Sequence, residues 1–284
     1  IIGPIIPPSV IMIIYAAVTR LSVIDLFVAG IVPAVFITIL FALAVWLYCK
    51  ANPEQGPACE LHTWSDRIRS LLRTWDTLLV FILVMGGLFT GMFTANEAGA
   101  TGAALVLIFS LIRRQITWAG FVKSIYETLR TSCMVLLLVA GAVIFGHFLA
   151  VTRIPFNVAQ WVAGLAWPGW AIIAMIVLVY LIGGCFIDAL ALIMLTIPIF
   201  YPIIQDLGYD PIWFGVIIVL VTQMGVITPP VGINVYVVNG IAKDVPLEKI
   251  FKGALPFLLA LIAGTAFLVA IPQLVLWLPN LMYK

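Results

Sequence analysis

Asp188 is the single charged residue in an apolar stretch of 35 positions, 170–204, where it stands in the run Gly-Gly-Cys-Phe-Ile-Asp-Ala-Leu-Ala-Leu-Ile. A carboxylate at the middle of a bilayer costs about 2.5–3.5 kcal/mol on insertion scales. No Lys or Arg occurs between Arg153 and Lys243, so a local salt bridge is not on offer. The charge must be met by a bound cation, by backbone donors at a chain reversal where Asp188 caps the next helix, or by a proton. One carboxylate among backbone carbonyls suits Na⁺ better than Ca²⁺, whose sites gather more charged oxygens. A second suggestive run is Thr228-Pro229-Pro230-Val231-Gly232, which interrupts the apolar stretch 212–242. Proline removes a helix hydrogen bond and clashes with the preceding turn. At membrane depth such a break is tolerated only where it faces protein or a water-filled cavity. Unwound carbonyls near Gly225, Val226 and Thr228 can face a cation. The start of the following half-helix, at Pro230, Gly232 and Asn234, attracts an anionic substrate group. Proline in a first helical turn is also a plain structural starter.

The other polar candidates read structurally. Thr94-Ala95-Asn96-Glu97 has the spacing of a capping box, with Thr at the N-cap and Glu three residues later. His147, alone on an apolar span, reads as a hydrogen-bonded core histidine rather than a proton relay. Cys49, Cys59, Cys133 and Cys185 have neither CxxC spacing nor the pattern of a disulfide framework.

The elements that hold these residues belong to a membrane protein. Of 284 residues, 64% are hydrophobic and only 9% charged, and mean hydropathy is +1.22. A soluble domain carries roughly 45–50% apolar and about 25% charged residues. Water-soluble enzymes and nucleic-acid binders are excluded, and the net charge of +2 calls for no anionic partner. A spanning helix needs ~20 mostly apolar residues. Stretches 26–49, 76–95, 97–112, 132–152 and 250–278 qualify, and Pro4, Pro7 and Pro8 interrupt the first twenty residues. Two amphipathic segments, 63–75 and 117–130, each begin Thr-Trp and carry Arg or Lys on one face, which suits helices lying in the interface plane. Most of the nine Trp fall near expected interfaces, as an aromatic belt would place them.

The basic residues orient the chain. If 170–204 is a re-entrant hairpin and 212–242 a broken but complete crossing, loops 50–75, 113–131 and 243–252 share one side. That side then holds eleven Lys and Arg, and the other holds Arg20, Arg153 and Lys284. Treating 170–204 as a full crossing weakens the split to eight against six. The positive-inside rule therefore favours the hairpin and makes the first side cytoplasmic.

An internal repeat is present. IIGPIIPPSVI at 1–11 aligns with QMGVITPPVGI at 223–233, with Gly3/Gly225, Ile5/Ile227, Pro7/Pro229, Pro8/Pro230 and Ile11/Ile233 identical. After one inserted residue, Gly30 and Pro33 match Gly253 and Pro256. In the topology above, the copies cross in opposite directions, which is the inverted repeat of many secondary transporters. The offset also implies a counterpart of 76–222 ahead of residue 1, so the chain reads as N-terminally truncated, about two-thirds of a transporter.

On these residues the chain resembles a known family. The run 184–242, from GCFIDALALIMLTIPIF to VGINVYVVNGIA, looks like the second repeat of the large membrane subunit of the tripartite ATP-independent periplasmic (TRAP) transporters. The stretches 5–33 and 91–103 (GMFTANEAGATGA) resemble two more of its signatures, although Asn96 stands where Thr is usual. The resemblance implies an all-α integral membrane protein with the inverted-repeat, elevator-type fold of the ion-transporter superfamily, containing a re-entrant hairpin and broken helices. Residues 1–49 then end the first repeat, 50–75 form a cytoplasmic loop with an arm helix, and 76–152 supply scaffold spans and a second arm. Residues 153–249 carry the hairpin and broken helix of the transport domain, and 250–284 the C-terminal span.

The resemblance further implies sodium-coupled uptake of organic acids across a bacterial inner membrane, with no bound cofactor besides Na⁺ as coupling ion. The partners it implies are a small membrane subunit and a soluble periplasmic substrate-binding protein. Asp188 with Gly184, Gly225, Thr228, Pro229 and Gly232 would form a sodium site, and Gly3 to Ser9 half of another. Pro8, Ser9, Pro230, Gly232 and Asn234 are the expected substrate contacts. A proton-coupled carrier and a non-transporting assembly subunit are the alternatives. An intramembrane aspartyl protease would need two carboxylates sharing a proton, and Asp188 has no second mid-membrane acid.

Overall fold

The computed structural model describes residues 2–55, 63–164, 167–242 and 245–282 and is helical wherever it is regular. The chain divides into two compact units, 1–52 with 138–284 and 53–137.

In the smaller unit, α3 (Trp64–Arg73) leads into α4 (Trp75–Phe89), and α5 (Ala95–Ile112) returns against it. The stretch Trp64–Ser70 is bent by 59° from α4. The expected capping box opens α5. Glu97 N–H donates to Thr94 Oγ1, while Thr94 N–H and its hydroxyl both donate to the Glu97 carboxylate. Arg113 at the end of α5 pairs with Asp76 at 3.3 Å. The next helix, α6 (Trp118–Thr152), is 35 residues long, about 52 Å at 1.5 Å per residue. An arm at 117–130 lying across its own span would require a break near residue 131, and none interrupts α6. The second amphipathic segment is therefore the first turns of the long helix, not a separate element.

The larger unit is built around a buried helix. After a loop at 2–9 come α1 (Val10–Thr19) and α2 (Val23–Ala51); beyond α6 follow α7 (Ile154–Gly164), α8 (Gly169–Gly184), α9 (Ala189–Asp206), α10 (Pro211–Gly225), α11 (Ile233–Ile241), α12 (Leu247–Ala270) and α13 (Gln273–Met282). Residues 213–225 of α10 are all buried, as its mostly apolar sequence, polar only at Thr222 and Gln223, favours. It starts on a firm cap, with Asp210 Oδ1 accepting from Ile212 and Trp213 N–H and Pro211 in the first turn. Helices α1, α2, α8, α9 and α12 all pack on it. Trp213, fully buried, donates its indole N–H to Leu268 O at 3.1 Å and ties α10 to α12. Tyr15 donates to Pro211 O at 2.7 Å and ties α10 to α1, its ring filling the space left by Gly215.

The repeated sequence folds as a repeated unit. In each copy a Pro-Pro pair precedes a short helix, α1 or α11, and a long proline-bearing helix follows, α2 with Pro33 or α12 with Pro256. The two long helices pack against each other, and Pro7–Pro8 and Pro229–Pro230 are both cis. Among the described residues, five helices, α2, α5, α6, α9 and α12, are long and apolar enough to cross a membrane.

Two further expectations change. The last span, expected as 250–278, ends at Ala270 and restarts at Gln273, because Pro272 supplies no N–H and keeps Ile271 out of the helical region (φ −126°, ψ 76°). The segment 154–164, between the expected span 132–152 and the stretch 170–204, is a helix packed on α9. His147 is exposed on α6 rather than buried in the core.

Candidate functional site

Helices α8 and α9 form an antiparallel hairpin whose tip is residues 185–188. Pairing is symmetric about that tip: Tyr180 and Thr196, each eight residues from Asp188, meet hydroxyl to hydroxyl. Tyr180 also packs on Phe200, with ring centroids 5.7 Å apart. The tip is closed by Phe186 and Ile187 N–H donating to Gly183 O at 3.0 and 2.9 Å. Asp188 is the N-cap of α9, its Oδ2 accepting from Leu190 N–H at 3.0 Å, and it is exposed. The cap is the structural alternative considered for this residue, and it engages one carboxylate oxygen.

The helix α10 ends at Gly225, and 226–232 are unwound before α11 begins. The break is tied by its own bonds. Thr228 N–H donates to Gly225 O at 3.1 Å and its hydroxyl to Met224 O at 2.6 Å, while Asn234 N–H reaches back to Val226 O at 3.2 Å. Gly232 turns the chain with φ 55°, a left-handed conformation that glycine adopts at little cost. Each carbonyl used here keeps a second lone pair, so an oxygen-lined turn of this kind can still ligate a cation.

Gly184 at the hairpin tip and Gly225 at the break meet backbone to backbone. A Cβ added to Gly225 would lie 2.3 Å from Gly184 C and 2.6 Å from its O. Only a glycine at position 225 allows this approach, and through it the tip docks on the break. Of the expected residues, the structure thus brings Gly184 and Gly225 into contact. Thr228, Gly232 and Asn234 lie in the turn that follows, and Asp188 lies on the docked tip. Pro230 is exposed on the turn.

Gly3, Pro8 and Ser9 belong to the other break, which packs against α2, where Ile5 O would lie 2.8 Å from a Cβ on Gly30. Gly3 and Pro8 are exposed. Ser9 is buried, and its hydroxyl oxygen accepts from Met12 N–H at 3.3 Å as the cap of α1. Among the described residues no group of three His, Cys, Asp or Glu could hold a metal. A cation at the hairpin would therefore rest on one carboxylate and neutral oxygens.

The Tyr180–Thr196 clip escaped the sequence reading. Its equal spacing from Asp188 was the signal, once 170–204 is taken as a hairpin.

A family model described as the tripartite ATP-independent periplasmic transporter, DctM component, matches residues 1–274. The chain is 34% identical over 283 residues to the C4-dicarboxylate TRAP transporter large permease protein of Pseudomonas aeruginosa, covering 98% of this chain and 65% of that protein. It is 32% identical over 282 residues to the sialic acid TRAP transporter large permease protein of Vibrio cholerae, covering 99% and 65%. Against the isethionate TRAP transporter permease protein of Oleidesulfovibrio alaskensis, identity is 34% over 282 residues, with 96% of this chain and 43% of that protein covered. The chain spans about 65% of the length of the first two.

Proposed function

This chain belongs to the DctM component of the tripartite ATP-independent periplasmic transporters, and from that membership we propose that it is part of the large permease of a sodium-coupled carrier for organic acids in the bacterial inner membrane. The observation that carries this reading is the docking of the hairpin tip on the α10–α11 break through Gly184 and Gly225. A carboxylate on the tip and an unwound, carbonyl-rich turn beside the docking point supply the oxygen ligands that Na⁺ takes, without a second acid. In this reading Na⁺ is held by Asp188 with oxygens near Gly184, Gly225 and Thr228, and by the equivalent break at Gly3. The substrate carboxylate meets the starts of α1 and α11 at Pro8, Ser9, Pro230, Gly232 and Asn234, where helix N-termini present partial positive charge. The hairpin, with its two arms clipped, and the broken helix move together as an elevator-type transport domain. A small membrane subunit and a periplasmic binding protein complete the system.

The test is uptake of an organic acid by the full-length protein with both partners in proteoliposomes. An inward Na⁺ gradient is expected to drive accumulation, and uptake that is unchanged when K⁺ replaces Na⁺ overturns the coupling. The cap hydrogen bond of Asp188 favours a second, purely structural role for that residue. Asp188→Asn separates the two, since Asn caps a helix about as well as Asp but carries no charge. Retained stability with lost sodium dependence supports the ion site; full sodium-driven uptake supports the cap alone.

A further inference from the structure

The end of α6, the start of α7 and the end of α9 line a cavity of about 480 Å³, a size within the ~300–1,000 Å³ of small-molecule sites. Its walls are apolar, with Leu149 from α6, Phe156 and Ala159 from α7 and Pro202 from α9. Two residues of opposite charge complete the lining, Arg153 at the α6–α7 junction and Asp206 at the end of α9. The left-handed backbone of Arg153 (φ 54°) ends α6 and turns the chain into α7, so this residue stands at the corner between two walls. Arg153 and Asp206 are both exposed. Among the described residues neither forms an ion pair, the pairs being Arg113 with Asp76 and Lys123 with Glu127.

In the orientation that the basic loops favour, α6 and α9 both end on the outer side of the membrane. Charges at the end of a span reach headgroup level while their stems lie along apolar surface. A cation and an anion that leave each other unpaired, above one apolar cavity, complement a ligand that is itself zwitterionic and carries an apolar tail. We propose that the cavity holds the headgroup of a phosphatidylethanolamine from the outer leaflet. Its phosphate accepts from the Arg153 guanidinium, its ammonium donates to the Asp206 carboxylate, and its first acyl carbons lie against Leu149, Phe156 and Pro202. The planar fork of Arg matches phosphate geometry. A choline headgroup has no N–H to offer Asp206, and a glycerol headgroup leaves a net negative charge beside it. The bound lipid joins the α6–α7 corner to the outer end of α9, the hairpin arm whose other end is capped by Asp188.

The test places the full-length permease in phosphatidylcholine nanodiscs with a small fraction of a phospholipid that carries a diazirine close to its glycerol. The headgroup of that probe is ethanolamine, choline or glycerol in three otherwise equal preparations, and crosslinked peptides are mapped by mass spectrometry. The ethanolamine probe is expected to label 149–159 and 202–206 about ten-fold more than the other two, the scale of one charge-assisted hydrogen bond. The exposed stretch 134–144 of α6 should take all three probes alike. Asp206→Ala removes the acceptor for the ammonium and should erase the preference for ethanolamine over glycerol. Arg153→Gln should lower capture of both at the cavity by about ten-fold. Both side chains are exposed, and the comparison of headgroups in the parent decides without either variant. Equal capture of the three probes by the parent, a preference for the glycerol probe, or an Asp206→Ala variant that keeps the ethanolamine preference overturns the proposal.

Discussion

The contact between Gly184 and Gly225 makes an asymmetric prediction. A Cβ on Gly225 would lie 2.3 Å from Gly184 C, 2.5 Å from its Cα and 2.6 Å from its O, all backbone atoms that no rotamer change can move. Relieving this to ordinary contact requires the two segments to separate by about 1 Å, and overpacking of that kind costs roughly 1–3 kcal/mol. A Cβ on Gly184 points elsewhere, with Gly225 Cα at 3.3 Å and Thr222 O at 3.6 Å, and a shift of a few tenths of an ångström accommodates it. Both glycines are the last residues of their helices, so the intrinsic gain from replacing Gly by Ala is similar and cancels in the comparison. At roughly 2–4 °C per kcal/mol, Gly225→Ala should lower the melting midpoint of the full-length permease in detergent by on the order of 2–12 °C. Gly184→Ala should shift it by less than about 2 °C. Transport should follow the same order, because the separation opens the docking of tip on break. Equal shifts, or a larger loss at Gly184, would refute the packing on which the site rests.

Further outcomes follow from individual side chains. Thr196→Val leaves the buried Tyr180 hydroxyl without its partner and should destabilise by about 1–3 kcal/mol; Tyr180→Phe removes that hydroxyl together with its need for a partner and should cost less in the same melt. Ser9→Ala deletes the buried cap of α1, with an expected loss of about 0.5–2 kcal/mol that a thermal melt would register. Gly232→Ala forces a Cβ into φ 55° and to 2.7 Å from the Phe251 ring. A loss of about 1–2 kcal/mol from the left-handed backbone alone is expected, and Gly232→Asn, which tolerates that region better, should lose less. A Gly232→Ala variant as stable as the parent would show that the turn has another conformation.

Much of this fold was legible because prolines and charges are scarce in an apolar chain. Pro229-Pro230 and Pro7-Pro8 marked both breaks, and the duplication around them announced the paired units α1–α2 and α11–α12. Gly183-Gly184 and Asp188 marked the hairpin tip. What remained hidden depends on tertiary packing. Pro272 is a local signal of equal kind, but it lies inside the apolar run 250–278, whose length alone fits one span. Nothing in the sequence of 117–152 says whether the helix bends where amphipathic turns give way to apolar ones. His147 looked like a core residue because its neighbours are apolar, yet in a membrane-spanning helix apolar faces can point outward as readily as inward. The meeting of Gly184 with Gly225, 41 positions apart, is a property of how α8 packs on α10, and periodicity alone carries no trace of it.

The most direct test of the sodium site is ion-specific stabilisation of the purified full-length permease, measured at constant ionic strength as Na⁺ replaces K⁺. A ligand that binds only the folded state raises stability by RT ln(1 + [L]/Kd), so the melting midpoint should climb with Na⁺ and not with K⁺. Asp188→Asn should melt like the parent in K⁺ and fail to respond to Na⁺. A Na⁺ response undiminished in Asp188→Asn, or absent from the parent, would contradict the assignment of a cation to the hairpin tip.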